Sequence, residues 1–438
     1  MILANGTIYP SSEQSALLDS LEESINATRM GEPLSVDTVI GAIDTLGRRM
    51  AAGEFDDLLR QFGVESLSSL GEQVRSSVKL LSREYLEYKV ATELGRDFFL
   101  PRDTRPMLGL SGVKTVPLPL GTLFHISAGN VDFLPSYTVV EGLLTGNINL
   151  LKLPQADNGL TLLALRTLVE IEPRLADFIY VFDTPSDDIA AMKKMAELAD
   201  GIVVWGGDAA IRAARSLAAP GAKLIEWGHR LSFAYLSGNW RGQPEELTAL
   251  ADHLIRTEQL LCSSCQTIYI DTDSMEEIYD FCRIFLPYLQ EARDGRPITE
   301  IGAAAEMTLK DYNDELERIL SGDSSVGENR AFRGRNCGLF AREDSELELS
   351  ELYGRCLVKR LPRDRMMTVL RRQKGYLQTA GLLCDAEDDA ILSERLLWCG
   401  VNRVTSLGNM SDHFSGESHD GEYSLRRYIR MANVEMRG

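Results

Sequence analysis

Between residues 121 and 228, short apolar runs alternate with longer helix-like segments, and this alternation constrains the fold more than any other feature. The apolar runs are GTLFHIS, INLLKLP, DFIYVFD, DGIVVWG and AKLIEWG. The segments between them have helical composition, as in NGLTLLALRTLVEI and DAAIRAARSLA. Continuous apolar strands separated by helices form parallel sheets that are covered on both faces. The alternation therefore predicts a doubly wound α/β domain.

A second, less regular alternation follows LSFAYLSG. Its candidate strands are QTIYID, CGLFAR, CLVKRL, QTAGLLC and GVNRVTS, and its candidate helices lie near 274–290, 304–320, 363–373 and 387–397. We expect a second α/β domain in this part of the chain.

The flanking segments have different patterns. Residues 11 to about 95 are helical in character, with Ser35 as an N-cap before a stripe at helical spacing, Val36, Val39, Ile40 and Ile43. A second stripe comprises Leu70, Val74, Val78, Leu81 and Tyr85. The polar tail DHFSGESHDGEYSLRRYIRMANVEMRG ends in a strand-like run. This tail is expected to lie either on the first domain or on another subunit.

Charge and cysteine content exclude several classes of protein. The formal net charge of −19 over 438 residues argues against binding to nucleic acid or anionic membranes. No apolar run reaches the ~18 to 20 residues of a membrane span, and MILANGTIYPSSEQ lacks the features of a signal peptide. Seven scattered cysteines indicate reduced thiols. We expect a soluble cytoplasmic protein.

Two of the cysteines, Cys262 and Cys265, form a CxxC pair in RTEQLLCSSCQTIYID. A structural zinc site needs about four ligands, and the sequence offers one pair with no nearby histidine pattern, so we expect no metal. A thioredoxin-like pair belongs at the mouth of a small βαβ fold, which is a different context. Buried inert thiols are the common outcome for isolated cysteines. A nucleophilic thiol is the alternative that the rest of the chain must support.

Several other residues follow strands, where parallel sheets open into a cleft. Asn130, after FHISAG, can donate to an oxyanion or simply cap a helix. Lys152, at the end of NLLK, can reach cofactor oxygens or be a solvated lysine at a strand end. Gly206 and Gly207 in VVWGGDAAIRAA open a helix whose N-terminus favours phosphate, although they do not form GxGxxG. Each signal is weak alone.

Their order along the chain resembles that of the aldehyde dehydrogenase superfamily. Within it, FHISAGNV, VVEGLLTGNINLLKLP and EQLLCSSCQ resemble the LuxC-type acyl reductases over about residues 100 to 438. The resemblance implies that Cys262 is the nucleophile, Asn130 the oxyanion-hole amide and Glu226 in LIEWGH the general base. It assigns cofactor binding to Ser127, Lys152, Gln155, Gly206, Gly207 and Glu351, the last of these at the nicotinamide ribose.

The helical pattern of the first hundred residues and the resemblance of the rest together predict a division of the chain. We expect a helical region at 1–100 packed on the cofactor domain and a Rossmann-like NADP-binding domain at 101–228. The catalytic domain then covers 229–405, and a return segment or oligomerisation arm covers 406–438.

Two positions depart from the superfamily pattern. Trp227 stands where a glycine is usual, and Glu351 is followed by LYGRC without the usual glycine-proline. The bulk of Trp227 either holds the Glu226 carboxylate away from an attacking water or simply packs in the core. Both departures leave the fold expectation unchanged and bear on how substrate is handled.

The expected function is NADPH-dependent reduction of a long-chain acyl thioester, acyl-CoA or acyl-protein, to the aldehyde. NADPH is expected because the neutral Gln155 stands where a carboxylate would repel a 2′-phosphate. Cys262 is expected near a helix start, which would favour its thiolate. The expected partners are an acyl-protein synthetase subunit and further copies of the chain. The alternatives are a hydrolytic aldehyde dehydrogenase that uses Glu226, and an inactive partner of an acyl-activating enzyme.

Overall fold

The structure is a computed structural model, and it describes every residue except 57–77, 98–99, 101, 105–111, 129–132, 156, 158, 299–301, 303–304, 306, 311, 314–315, 317–319, 321–328 and 436–438. Asn130 therefore lies outside the described residues. So do Leu70 and Val74 of the second predicted stripe and parts of the predicted helix at 304–320.

The strands are β1 (Ile2–Ala4), β2 (Thr7–Tyr9), β3 (Arg102–Thr104), β4 (Val113–Pro119), β5 (Thr122–Ile126), β6 (Ile148–Lys152), β7 (Ile179–Phe182), β8 (Gly201–Gly206), β9 (Lys223–Gly228), β10 (Leu231–Leu236), β11 (Cys265–Ile270), β12 (Arg330–Arg333), β13 (Gly338–Arg342), β14 (Arg355–Arg360), β15 (Leu377–Leu383), β16 (Arg403–Thr405) and β17 (Ile429–Glu435). The helices are α1 (Gln14–Met30), α2 (Val36–Ala51), α3 (Arg83–Glu93), α4 (Leu134–Leu144), α5 (Leu160–Ile171), α6 (Ile189–Glu197), α7 (Asp208–Leu217), α8 (Pro244–Thr257), α9 (Met275–Gly295), α10 (Met366–Leu370), α11 (Asp389–Cys399) and α12 (Ser424–Arg427).

The described chain forms two compact units, one of 1–228 with 414–438 and the other of 229–413. The first contains a sheet of order β2-β1-β7-β6-β5-β8-β9, in which β7, β6, β5, β8 and β9 run parallel. The chain leaves β5 in one direction for β6 and β7, and in the other for β8 and β9. The strand order thus reverses between β5 and β8, which is where α/β sheets bind ligands. The α/β prediction for this region is confirmed.

A β-hairpin at the N-terminus of the chain, formed by β1 and β2, adds two strands to one edge of this sheet. This hairpin was not predicted from the sequence. β1 and β2 pair antiparallel around Asn5 and Gly6, and Leu3 of β1 pairs with Val181 of β7. Asn5 and Gly6 both have positive φ angles, 46° and 73°. A two-residue Asn-Gly loop between apolar runs is the strongest short-range hairpin signal. The strands are three residues long, too short for their alternation to be distinct.

Helix α2 forms as its stripe predicts. The Ser35 hydroxyl caps the helix by accepting from the Thr38 amide at 3.1 Å. Val39, Ile40 and Ile43 are buried in the core of the first unit, and Val36 packs against that core.

The C-terminal segment also belongs to the first unit. β17 pairs antiparallel with β4 along its whole length, and β3 pairs with the other edge of β4. Ser424, just before β17, donates to the buried Glu141 carboxylate, and the Leu425 amide donates to Glu93. The predicted arm therefore lies on the first unit.

The second unit has a sheet of order β12-β13-β14-β11-β10-β15-β16, in which only β12 runs antiparallel to its neighbour. Helices α8 and α9 supply much of the core on one face of the sheet, and α10 and α11 supply much of the core on the other. The second predicted α/β domain is confirmed as a largely parallel sheet covered on both faces.

A buried histidine links β5 to its neighbours in the first unit. His125 contacts the Thr138 hydroxyl at 2.9 Å through Nδ1 and the Asn149 carbonyl oxygen at 3.0 Å through Nε2. The second contact requires a proton on Nε2, and in the neutral ring Nδ1 then accepts from the Thr138 hydroxyl. A Cβ on Gly142 would lie 1.8 Å from that same Asn149 oxygen, so only glycine lets α4 pack here.

This histidine predicts a loss of stability in mild acid. Burial lowers the pKa of His125 from 6.5 to about 4. Below pH 6.5 the unfolded chain therefore takes up a proton that the folded chain does not, and about 2 kcal/mol of stability is lost between pH 6.5 and 5. Urea unfolding at pH 7.5 and pH 5.0 should show a smaller acid loss in His125→Asn than in the wild type. The exposed His413 provides the control, because His413→Gln should keep the full acid loss.

Candidate active site

Ser127, Lys152 and Gly206 all stand at the carboxyl ends of neighbouring strands in the first unit. Ser127 follows β5, Lys152 ends β6, and Gly206 ends β8. The sheet register places Lys152, Ile126, Val204 and Glu226 in one row across β6, β5, β8 and β9. With neighbouring strands about 4.8 Å apart, Lys152 and Glu226 are roughly 14 Å apart along this row. The row crosses the point where the strand order reverses.

Lys152 is not a solvated lysine. It is 4% exposed, and its Nζ donates to the Ser186 hydroxyl at 2.8 Å. Burial lowers the pKa of its ammonium. Within the described part of the chain, no carboxylate forms an ion pair with it. An ammonium has three donors, so a buried one with a neutral hydroxyl partner suits an anionic or hydroxyl-rich ligand.

The turn after β8 also lies at the carboxyl ends of these strands. A Cβ at Gly206 would lie 3.0 Å from the Ala210 Cβ, so glycine allows α7 to start here. Gly207 is the N-cap and is exposed. Asp208 occupies the first turn of α7, and its charge opposes that of a phosphate at this helix end. Gln155, beyond the end of β6, is exposed.

Glu226 is held by an arginine. Arg215 of α7 donates to both carboxylate oxygens, at 2.5 and 2.7 Å. Such a bidentate pair orients the carboxylate and occupies both oxygens. The sequence reading did not name Arg215.

Trp227 does not restrain that carboxylate, so the first reading of this residue is wrong. Successive side chains on a strand point to opposite faces. Trp227 is 3% exposed and joins Ile225 in the core on one face of β9, stacked on Trp205 with ring centroids 5.5 Å apart. Glu226 points to the other face. The alternative reading, that Trp227 packs in the core, is confirmed.

In the second unit, Cys262 lies in a turn between α8 and β11 and its thiol is exposed. The expectation of a nearby helix start is wrong, because α8 ends at Thr257 and the next element is the strand from Cys265. The helix end closest to Cys262 in sequence is the C-terminus of α8, so the chain around Cys262 supplies no helix start that would favour a thiolate.

Hydroxyl groups fix the backbone of this turn. Ser264 Oγ accepts from the Leu261 amide at 3.1 Å, and its own amide donates to the Leu261 carbonyl at 3.0 Å. Ser232 Oγ donates to the Cys262 carbonyl at 2.7 Å and accepts from the Thr379 amide at 3.1 Å. Ser232 lies at an irregularity in the pairing of β10, the kind of position where strands redirect a side chain towards a site.

One side chain reaches the sulfur itself. Gln378 of β15 donates from Nε2 to Cys262 Sγ at 3.3 Å. Gln378 is 8% exposed, and its backbone carbonyl accepts from the Asn402 backbone N–H at 2.9 Å. The sequence reading did not name this residue. Its one available signal was a glutamine at the start of an otherwise apolar strand.

The chain approaches the Cys262 turn through strained backbone. Glu258 and Gln259 have φ angles of 47° and 61°, and Leu352 and Tyr353 have φ angles of 64° and 51°. Such residues cost about 1 to 3 kcal/mol each, so the surroundings must hold them. Arg293, 2% exposed in its side chain, donates to both Glu258 oxygens at 2.8 and 2.7 Å and to the Tyr353 carbonyl at 2.8 Å.

Gln259 completes this support. Its amide donates to the Ser350 hydroxyl at 2.8 Å and to the Cys265 carbonyl at 3.1 Å, and its oxygen accepts from the Gly354 amide at 3.0 Å. The glutamine of EQLLCSSC therefore joins the Cys262 turn to the loop that precedes β14.

Glu351 lies on that loop and is already paired. The Arg355 guanidinium contacts Glu351 Oε2 from Nε at 2.7 Å and from Nη2 at 2.5 Å, and it lies over the Phe340 ring at 4.6 Å. The pair orients the carboxylate. The residues predicted for catalysis and cofactor binding are thus divided between the units, with Cys262 and Glu351 in the second.

The second cysteine of the pair has a different environment. Cys265 is fully buried in β11, and its Sγ contacts the Thr267 carbonyl at 3.4 Å. Among the residues the structure describes, no group of three or more His, Cys, Asp or Glu could hold a metal ion. Over the same residues, no helix is both long and apolar enough to cross a membrane.

Comparison with known families gives a match over most of the chain. The family model described as "Acyl-CoA reductase (LuxC)" matches residues 32–431. A long-chain acyl-protein thioester reductase of Photorhabdus laumondii is 22% identical over 426 residues, which cover 92% of this chain and 82% of the relative. Long-chain acyl-protein thioester reductase 2 of Photobacterium leiognathi is 23% identical over 276 residues, which cover 59% of this chain and 55% of the relative.

Solved structures agree on the fold. A lactaldehyde dehydrogenase superposes with a TM-score of 0.68 at 14% identity, covering all of this chain and 96% of that one. At this identity the similarity shows the fold alone, which is that of the aldehyde dehydrogenases.

Proposed function

The chain belongs to the LuxC family of acyl-CoA reductases, and we propose that it reduces a long-chain acyl thioester to the aldehyde with NADPH. The acyl donor is an acyl-CoA or an acyl-protein. The names of the relatives, long-chain acyl-protein thioester reductases, support this substrate class. The observation that carries the proposal is Cys262, an exposed thiol outside any disulfide, in a turn held by hydroxyl groups on both sides.

Cys262 opens the reaction as a nucleophile. Its thiolate attacks the thioester carbonyl, a new C–S bond forms, and the bond to the donor sulfur breaks, so that the donor leaves as a thiolate. The Cys262 backbone N–H and the Asn130 amide are proposed to donate to the oxyanion. Addition of hydride to the acyl carbon gives the alkoxide of a thiohemiacetal on Cys262; as its C=O bond re-forms, the C–S bond breaks, which releases the aldehyde and restores the thiolate.

The edge of the first sheet suits a nicotinamide cofactor, which supplies the hydride when bound. Lys152 is a buried cation without a carboxylate partner in the described residues, and we propose that it binds the adenosine ribose and its 2′-phosphate. Gly206 and Gly207 let the backbone approach the cofactor phosphates, and Ser127 and Gln155 complete the site. Glu351 is proposed to bind the nicotinamide ribose while Arg355 holds it in place.

Product identity tests the proposal against hydrolysis. A glutamate near an acyl-enzyme can activate water and waste the intermediate as free acid. Arg215 occupies both oxygens of Glu226, which opposes that role. We expect aldehyde as the main product from acyl-CoA and NADPH. Glu226→Gln should lower turnover without raising the share of acid. Mass spectrometry of both products gives the ratio.

Removing the arginine that pairs with Glu226 should instead raise the share of free acid among the products. Arg215→Met frees the carboxylate, so the share of acid should rise. Arg212→Met, at an exposed position on the same helix, is the matched control and should leave it unchanged. Rapid oxidation of aldehyde to acid by the wild type with NADP⁺ and no CoA, lost in Glu226→Gln, would identify a hydrolytic dehydrogenase instead. Absence of any turnover would favour an inactive partner protein.

The same proposal includes the chain length of the acyl group, the identity of the acyl donor and the oligomeric state of the protein. Acyl-CoAs of graded length, and an acylated synthetase subunit as donor, should separate the two donor types by kcat/KM. We further propose that the chain acts as a homo-oligomer in the cytoplasm. Sedimentation analysis measures its oligomeric state directly.

A further inference from the structure

Gln378 stands out because it contacts the reacting sulfur and has no assigned role. Its Nε2 is 3.3 Å from Cys262 Sγ. The amide is neutral and cannot deliver or remove a proton at working pH. Its contribution is therefore a hydrogen bond to the sulfur.

The geometry of this contact is fixed from both sides. Ser232 Oγ donates to the carbonyl of Cys262 and accepts from the amide of Thr379, the residue after Gln378. One hydroxyl thus ties the Cys262 turn to strand β15. Because Gln378 is largely buried and lies on β15, a strand paired on both sides, little side-chain entropy is lost when it contacts the thiolate.

A hydrogen-bond donor at Cys262 Sγ is one way to stabilise a thiolate that no helix start adjoins in sequence. The closest helix end in sequence is the C-terminus of α8, which carries partial negative charge. Hydrogen bonds to charged groups are stronger than those between neutral groups. A donor at the sulfur therefore stabilises the thiolate more than the thiol.

We propose that Gln378 is a catalytic residue that stabilises the Cys262 thiolate, and that stabilises it again as the leaving group when the thiohemiacetal collapses. The inference rests on the proposed function, in which Cys262 is the nucleophile. It adds a residue from a strand distant in sequence to the groups around the sulfur.

The test is the pH dependence of Cys262 reactivity toward 2,2′-dipyridyl disulfide, followed by peptide mass. Gln378→Met keeps the length of the side chain and removes the donor. We expect the pKa of Cys262 to rise by roughly one unit. Since nucleophilicity rises with thiol pKa, the variant should react roughly threefold slower below both pKa values and roughly threefold faster above them. The plots of Cys262 reaction rate against pH for the wild type and for Gln378→Met should therefore cross.

Controls separate this effect from general damage. Gln373→Met removes an amide that donates to the Leu347 carbonyl, and its Cys262 profile should match the wild type. The half-buried Cys384 is an internal reference whose rate should not change. Gln378→Glu keeps the shape and introduces a negative charge, so it should raise the pKa of Cys262 further. This second variant provides the test if Gln378→Met does not fold.

Two results would overturn the inference. An unchanged profile in both Gln378 variants would show that the contact does not stabilise the thiolate. A lower pKa in Gln378→Met would show that Gln378 instead accepts from the thiol S–H. Acyl-CoA labelling of the same samples tests the proposed function separately, since acylation at a residue other than Cys262 would contradict that function whatever the Gln378 profiles show.

Discussion

Cys262→Ala is expected to abolish both covalent acylation and aldehyde formation, with a fall in kcat of roughly 10⁴-fold or more. The reason is that the thiolate forms the bond that holds the acyl group between the two chemical steps. Intact mass after incubation with acyl-CoA, without NADPH, should show one added acyl group in the wild type and none in the variant.

Cys265→Ala is the matched control for this prediction. Cys265 is three residues away, but its side chain is fully buried in β11, so no substrate reaches it. The variant should keep most of the activity and lose only the stability that comes from filling its space. An inactive Cys265→Ala together with a normally acylated Cys262→Ala would reverse the assignment.

The second large effect concerns the cofactor. Lys152→Met should weaken NADP⁺ binding by roughly 10- to 100-fold, because a charged hydrogen bond to the 2′-phosphate is lost. The half-buried Lys194, paired with Asp19 in the same unit, is the control, and Lys194→Met should leave the affinity unchanged. Isothermal titration measures both without any acyl substrate.

Cofactor preference gives an independent readout of the same site. Gln155→Glu places a carboxylate near the proposed 2′-phosphate and should weaken NADPH roughly fivefold more than NADH, a modest effect because the position is exposed. The wild type should prefer NADPH. Equal kcat/KM for the two cofactors in the wild type would contradict the argument.

The parallel strands were predictable because they are buried on both faces and read as continuous apolar runs. GTLFHIS, INLLKLP and AKLIEWG contain β5, β6 and β9. Asn5-Gly6 is a hairpin signal, but the strands on either side of it are only three residues long, too short for a distinct alternation. The direction of the Trp227 side chain could also be predicted from the sequence, because neighbouring residues on a strand point to opposite faces of the sheet.

The contacts within the candidate site were harder to predict from the sequence. Cys262 was identified from the resemblance, because CxxC spacing alone allows several chemistries. Gln378 meets Cys262 across 116 residues of chain, and no local pattern encodes such a contact. The same is true of Arg293, which holds two separate segments in left-handed backbone. Local propensity disfavours that conformation, so it arises only from the tertiary fold.

The pairing of β17 with β4 has a consequence for how the protein is made. The first unit needs β17, yet the ribosome synthesises all of residues 229–413 between β9 and that strand. At 5–20 residues per second this interval lasts roughly 10 to 40 s. During it, one edge of β4 has no partner from β17, and the buried Glu93 and Glu141 lack the donors of residues 424–428. A nascent chain of this protein is thus exposed to strand-edge aggregation and chaperone capture until β17 emerges.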